Sequence, residues 1–337
     1  MTPPPDRPHV LVLRALGLGD LLAGVPALRG IRRAFPAHRI VLALPPALTD
    51  AALATGTIDA VLPAEAPGRA VPVLTSWPGP PPDLAIDLHG NGPESRDALA
   101  ALHPRRLLAH AHRGPGSRPP PVWRADEHER ARWCRFLAAY GIPADPADLR
   151  LPPAGPSPAP GAVVVHPGAD AVARRWPAER FGAVARRLRD LGHRVVVTGG
   201  PGEDRLVQDV ADSGGVPAED LLTGGLPFRA LSALVAHAAL VVSGDTGIAH
   251  LATAHGTPSV TLFGPVPPAL WGPPALPRHR ALWRPGPPGD PHGTVTDPGL
   301  LRIGAEEAVR AALALLPPTW PIGSPRGDGV DAGALHL

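Results

Sequence analysis

Lysine is absent from this 337-residue chain, and cysteine, methionine and tyrosine occur once each. All 32 basic residues are therefore arginine, set against 30 acidic ones for a formal charge of +2, and they form no polybasic run. A nucleic-acid partner is not expected. The lone Cys134 excludes an intrachain disulfide and any cysteine-rich metal site. No carboxylate pair has convincing metal-ligand spacing, so neither a metal nor a cofactor is expected. Long hydrophobic runs are missing too. The longest nearly apolar stretch, 231–242, is interrupted by His237 and falls far short of the ~20 residues that a spanning helix needs. The N-terminus lacks a basic segment followed by an apolar core, so no signal peptide is read. We expect a soluble cytoplasmic protein, touching the inner face of the plasma membrane at most peripherally.

What the chain does have is proline and glycine, 49 and 38 of them, concentrated at 78–82, 114–121, 152–160, 265–291 and after 316. Between those stretches the apolar periodicity is strong, which describes globular segments joined by stiff loops. This length suits two ordinary domains, and the proline-rich stretch 151–160 divides it almost in half. We expect domains at 1–155 and 156–316. The tail, 317–337, has too few apolar residues to pack and is expected to be disordered.

Residues 10–13 form a continuous apolar run of strand length, followed by the turn Gly17-Leu18-Gly19-Asp20 and then by Leu21, Val25, Leu28 and Ile31 at helical spacing. Further strands are expected at 40–44, 58–62, 84–88 and near 107, with helices at 47–54, 93–102 and 126–140. The second half repeats the plan, with strands at 162–165, 194–198, 221–222, 240–242 and 259–263 and helices at 178–191, 203–213, 228–237, 248–254 and 305–315. Strands alternating with helices argue for parallel sheets covered on both faces. The expected fold class is α/β, two Rossmann-like doubly wound domains facing each other across a cleft.

Gly17 and Gly19 resemble the start of a dinucleotide fingerprint, but the third small residue is replaced by Leu22. Asp20 also stands where a pyrophosphate would sit, and like charges repel there. Its carboxylate suits two roles, a cap of the helix N-terminus or a general base for a hydroxyl at the cleft floor. A second turn, Ser243-Gly244-Asp245-Thr246-Gly247, opens another helix with free N–H groups and carries His250 one turn further on. Such an N-terminus binds anions, and Asp245 could accept hydroxyls beside a phosphate; equally, Asp245 and Thr246 could only cap. A third group, His166-Pro167-Gly168-Ala169, follows the first strand of the second half and precedes Arg174-Arg175-Trp176-Pro177. The glycine admits a ligand to the backbone, and the two arginines could neutralise a diphosphate leaving group or simply be solvated. The turns Thr198-Gly199-Gly200, Thr223-Gly224-Gly225 and Phe263-Gly264-Pro265 are expected on the same carboxyl edge.

In this order and spacing the motifs resemble glycosyltransferase family 9, the ADP-heptose:lipopolysaccharide heptosyltransferase family, from Val10 to about Pro268. The resemblance rests on Arg14, Gly19-Asp20, Pro26-Ala27-Leu28-Arg29, Phe35-Pro36, Asp87-Leu88-His89-Gly90, the His166 and Arg174 groups, Gly244 to His250, Gly256-Thr257-Pro258 and Phe263-Gly264-Pro265. It implies a GT-B type fold, with the acceptor on the first domain and a nucleotide-diphosphate sugar on the second. It implies inverting, metal-independent transfer with Asp20 as the base. His166, Gly168, Arg174, Arg175, Thr198, Gly199, Asp245, Thr246, Gly247 and His250 would hold the donor, and Arg14, Gly19 and His89 would lie on the acceptor side. The closing helix would pack back across the domain boundary. Where the family usually has lysine, this chain has Arg174, which keeps the charge and changes its reach. The missing lysine and the excess of Ala, Arg and Pro suggest a GC-rich genome, so the acceptor is left open among glycans, glycolipids and natural products.

Two other functions fit the same plan. A nucleotide-sugar epimerase would convert the donor alone, without an acceptor. A non-catalytic protein would bind a nucleotide sugar and recruit a partner through its proline-rich loops.

Overall fold

The computed structural model describes residues 7–74, 77–110, 121–152, 155–287 and 289–317. The expected disordered tail lies, apart from residue 317, outside the described residues, as do most of the proline-rich stretch 114–121 and part of the 151–160 linker.

Among the described residues, the first half forms a five-stranded parallel sheet in the order β3-β2-β1-β4-β5. Its strands are β1 (His9–Leu13), β2 (Arg39–Leu44), β3 (Ala60–Pro63), β4 (Leu84–Asp87) and β5 (Leu107–Leu108). Helices α1 (Leu18–Ala34), α2 (Thr49–Ala54), α3 (Pro93–Ala100) and α4 (Glu129–Ala139) cover it. The apolar run of β1 is buried on both faces, Val10 and Val12 joining one core and Leu11 and Leu13 the other. That two-sided burial is why the strand has no polar alternation.

The second half forms a six-stranded parallel sheet, β11-β10-β9-β6-β7-β8. Its strands are β6 (Val163–His166), β7 (Val195–Thr198), β8 (Leu221–Leu222), β9 (Leu240–Gly244), β10 (Ser259–Leu262) and β11 (His279–Leu282). The helices are α5 (Ala178–Asp190), α6 (Asp204–Gly214), α7 (Phe228–Ala236), α8 (Gly247–His255), α9 (Pro268–Trp271), α10 (Pro298–Leu301) and α11 (Ala305–Leu313). Strand β11 falls in the 265–291 stretch that was read as loop. The closing helix α11 packs on α5 and β10 within the second domain, so the expected return across the boundary is corrected.

In each sheet the strand order reverses next to the first strand, between β1 and β4 and between β6 and β9. Ligand crevices open at such switch points, beyond the carboxyl ends of the strands. The sequence places Gly17 to Asp20 and Asp87 to Gly90 beyond one of them, and His166 to Ala169 and Gly244 to Gly247 beyond the other.

The two halves meet through packed helices. Helix α1 lies against α8, α2 against α7 and α4 against α9. One face of α1, with Leu21, Leu28 and Ile31, fills the first core, while Leu22 and Val25 enter a core of the second sheet together with Ile248 and Leu251. A helix apolar around most of its circumference is one buried on several sides. Leu22, the residue that spoils the dinucleotide fingerprint, is thus packing material for the seam.

Candidate active site

The two glycine turns touch. A Cβ on Gly19 would lie 2.9 Å from Cδ2 of His250, and one on Gly247 would lie 3.0 Å from Cβ of Leu18. Glycine at both positions lets α1 and α8 close to form the floor of a cleft of about 440 Å³. Gly17, Gly19, Asp20 and Arg69 line it from the first domain; His166, Gly168, Arg174, Glu203, Asp245, Thr246, Gly247, His250 and Trp271 are among its lining residues from the second.

Asp20 is 6% exposed. Its Oδ2 accepts the Gly17 N–H (3.1 Å), so it does cap α1, yet it still faces the cleft. Arg69 Nη2 donates to both carboxylate oxygens, at 3.1 and 2.9 Å. Arg69 stands at φ 62°, a left-handed conformation uncommon for a side-chain-bearing residue, directly after Gly68.

Arg14, expected on the acceptor side, has a fully buried side chain beneath the cleft. Nε donates to the carbonyl of Asp20 (2.6 Å), Nη1 to the carbonyl of Leu88 (2.6 Å) and Nη2 to Glu129 Oε1 (3.0 Å). Glu129 is held in turn by Trp133 Nε1 (2.6 Å) and by Arg132. Arg14 therefore orients the backbone of the Asp20 turn. His89 lies beside this turn, its Nδ1 accepting the Ala15 N–H (3.2 Å). Burial, aided by the Arg14 charge, pulls its pKa down to about 4, so the ring is neutral at pH 7. Below it, Asp87 accepts from the His89 N–H and from the Ser95 hydroxyl, and burial raises its pKa.

On the opposite wall, Asp245 and Thr246 connect β9 to α8. Neither caps the helix: Thr246 occupies the N-cap position without a side-chain hydrogen bond. Its Oγ1 is buried with no partner, and so is Nε of Arg174, whose Nη1 donates weakly to the Asp245 carbonyl (3.4 Å). Among the described residues the Asp245 carboxylate accepts no hydrogen bond, although the residue is only 7% exposed. Burial pushes its pKa up to about 6, with the Arg174 charge opposing and the Asp20 charge adding to the rise. His250 Nε2 lies 3.9 Å from Asp245 Oδ1, and burial with the nearby Arg130 lowers its pKa to about 4. Buried polar atoms are nearly always satisfied, so two unmet ones, Thr246 Oγ1 and Arg174 Nε, beside the Asp245 carboxylate at one helix N-terminus mark a place suited to a polar ligand.

The rest of the expected donor set divides in two. His166 and Gly168 reach the cleft; a Cβ on Gly168 would collide with the Glu203 carboxylate, which itself accepts the Gly200 N–H at 2.7 Å. Thr198, Gly199 and Arg175 stand behind the cleft-lining residues. Thr198 supports His166 through a 2.9 Å hydrogen bond to Nδ1, and Gly199 makes room for Val207. Arg175 turns back to donate to the Ala169 carbonyl (2.9 Å). Among the lining residues not picked out from the sequence are Arg69, Glu203, Trp271 and His292. Glu203 carried a signal, as the acidic partner three residues after a glycine turn. Trp271 carried one as well, a large aromatic within a stretch too rich in proline for a core helix. Arg69 and His292 carried none.

The fold and the cleft are those of a protein of the GT-B type, two facing Rossmann-like domains with the site between them. The profile of Glycosyltransferase family 9 (heptosyltransferase) matches residues 100–287, more than half of the chain, which therefore belongs to that family. It is 36% identical over 113 residues, 33% of either chain, to lipopolysaccharide heptosyltransferase 3 of Escherichia coli, and so spans about a third of the length of the curated relatives it matches. Among solved structures it is similar to the family 9 glycosyltransferase of Veillonella parvula DSM 2008, with TM-score 0.73 and 21% identity over 94% of this chain and 99% of that one. It is similar also to E. coli ADP-heptose LPS heptosyltransferase II, with TM-score 0.68 and 17% identity over 91% and 98%.

Proposed function

We propose that the protein transfers a heptose-like sugar from a nucleotide diphosphate donor, ADP-heptose by preference, to a hydroxyl of a glycan or glycolipid acceptor. The observation that carries this reading is the pair of unmet buried atoms at the α8 N-terminus, Thr246 Oγ1 and Arg174 Nε, which with the cleft-lining Asp245 face Asp20 across one cleft. The diphosphate lies at the helix N-terminus, where the N–H groups of Gly247 and Ile248 and the Arg174 guanidinium meet its charge. Asp245 accepts hydroxyls of the donor, and so does Glu203 further along the wall. Asp20 takes the proton from the acceptor hydroxyl as its oxygen attacks the anomeric carbon. The bond from that carbon to the phosphate oxygen breaks, and the electron pair leaves with the diphosphate. Attack opposite the leaving group inverts the anomeric centre. Arg174 supplies the positive charge that the departing diphosphate needs, and metal independence is part of the proposal.

On this reading residues 1–155 carry the acceptor side and 156–316 the donor side. Because the relatives are lipopolysaccharide heptosyltransferases, lipopolysaccharide is the first acceptor to try. Among the described residues no helix is long and apolar enough to cross a membrane, and we place the protein in the cytoplasm, with at most peripheral membrane contact. The test is a calorimetric titration with ADP-heptose, ADP, UDP and GDP, in chelator and then in magnesium. Metal-independent binding that favours ADP-heptose is expected. Preference for UDP or GDP would replace the donor, and binding of none of the four would refute the donor site.

A further inference from the structure

Trp271 ends the short helix α9 and lines the cleft, keeping part of its large ring open to it. Its edge-to-face partner is His250, with ring centroids 5.9 Å apart and planes at 78°. His250 is the side chain that packs on Gly19 beside Asp20 and stands 3.9 Å from Asp245 Oδ1. Trp271 therefore belongs to the end of the cleft where Asp20 and Asp245 face each other. His166, Gly200 and Glu203 line a part of the wall contributed by β6 and the β7–α6 turn instead.

The backbone just after the ring is anchored to the first domain. His128 Nδ1 accepts the Arg130 N–H at the start of α4 (3.2 Å), which leaves the proton on Nε2, and Nε2 donates to the carbonyl of Gly272 at 3.0 Å. Gly272 must be glycine, because a Cβ there would lie 2.5 Å from the Pro268 carbonyl oxygen. A tryptophan packed edge-on against His250, with its following residue anchored and part of its ring facing the cleft, is an apolar platform. The group of a nucleotide sugar that fits such a surface at the reacting end is the sugar ring, whose C–H face is apolar while its rim carries hydroxyls for Asp245.

We propose that Trp271 is the stacking surface for the transferred sugar and so a specificity-determining residue of the donor site. The inference rests on the proposed donor reading, and the experiment separates the two. Wild type, Trp271→Ala and Trp271→Phe are titrated with ADP and with ADP-heptose. Wild type is expected to bind ADP-heptose more tightly than ADP. Trp271→Ala should lose about three- to tenfold for ADP-heptose, the range of one aromatic contact, with ADP affinity unchanged within about twofold. Trp271→Phe should recover most of the loss. A variant that loses both ligands equally, or neither, overturns the platform while leaving the donor site standing. A wild type that binds neither ligand overturns both.

Discussion

Replacing Asp245 by Asn should make the unliganded protein more stable and the donor complex weaker. The carboxylate is buried without a hydrogen bond, and its pKa is pushed up to about 6 from 3.8. A raised folded-state value means that the folded protein holds the proton more tightly than the unfolded chain does. Stability from this group is thus fully present below about pH 4 and is lost as pH rises towards about 6. About two pKa units at 1.36 kcal/mol each give roughly 3 kcal/mol as the cost of carrying the charge at pH 8. Asn has nearly the same shape and no charge, so Asp245→Asn should gain about 2–3 kcal/mol at pH 8 and almost nothing at pH 4. At roughly 2–4 °C per kcal/mol this is several degrees in the transition that contains the second sheet. In the same variant, loss of a charged hydrogen-bond acceptor should weaken ADP-heptose binding by about 1.5–3 kcal/mol, or 10- to 150-fold. Urea unfolding at pH 4 and 8, with calorimetry at pH 8, measures both. If the variant were no more stable than wild type at pH 8, or equally advantaged at pH 4, the buried charge would not be the cause.

Asp20→Asn should lower transfer by at least about 10²-fold while leaving ADP-heptose affinity within about twofold, and wild-type turnover in that variant would end the assignment of the base. Gly19→Ala drives a methyl group into His250 and should cost about 1–3 kcal/mol in urea unfolding while also weakening donor binding; an unperturbed variant would mean that the floor is looser than drawn. His89, His250, His255 and His279 all have pKa values lowered to about 4, chiefly by burial, so the unfolded chain binds protons that the folded one refuses. Stability should therefore fall as pH drops from about 6.5 to about 4, with net proton uptake on unfolding; a flat profile across that window would show that these rings are solvated. Asp245 runs the other way over much of the same range, which is why its effect is read as a difference from wild type.

The parallel sheets were legible because both faces of each sheet are covered, and strands such as 10–13 and 240–242 then appear as unbroken apolar runs. Strand β11 was missed because an edge strand of four residues holding His279 and Arg280 lacks that mark and lies among prolines. The two turns could be located from their glycines, and Asp20 and Asp245 with them, since a turn after a buried strand is a local pattern. The burial of Arg14 was not legible because its partner is Glu129, 115 residues away, and nothing near Arg14 reveals that a carboxylate waits under the sheet edge. Arg69 was invisible for the same reason: its partner is Asp20, 49 residues earlier. Local chemistry could be read from local residues, whereas charges satisfied across the fold could not.

The contact of Gly19 with His250 and of Gly247 with Leu18 also determines how the molecule can move. A swing of one domain on the other would have its fulcrum near this close approach, with displacement growing with distance from it. Asp20 and Asp245 each lie within two residues of the glycines at that fulcrum. Any such swing would change the outer walls of the cleft more than the spacing of the two carboxylates.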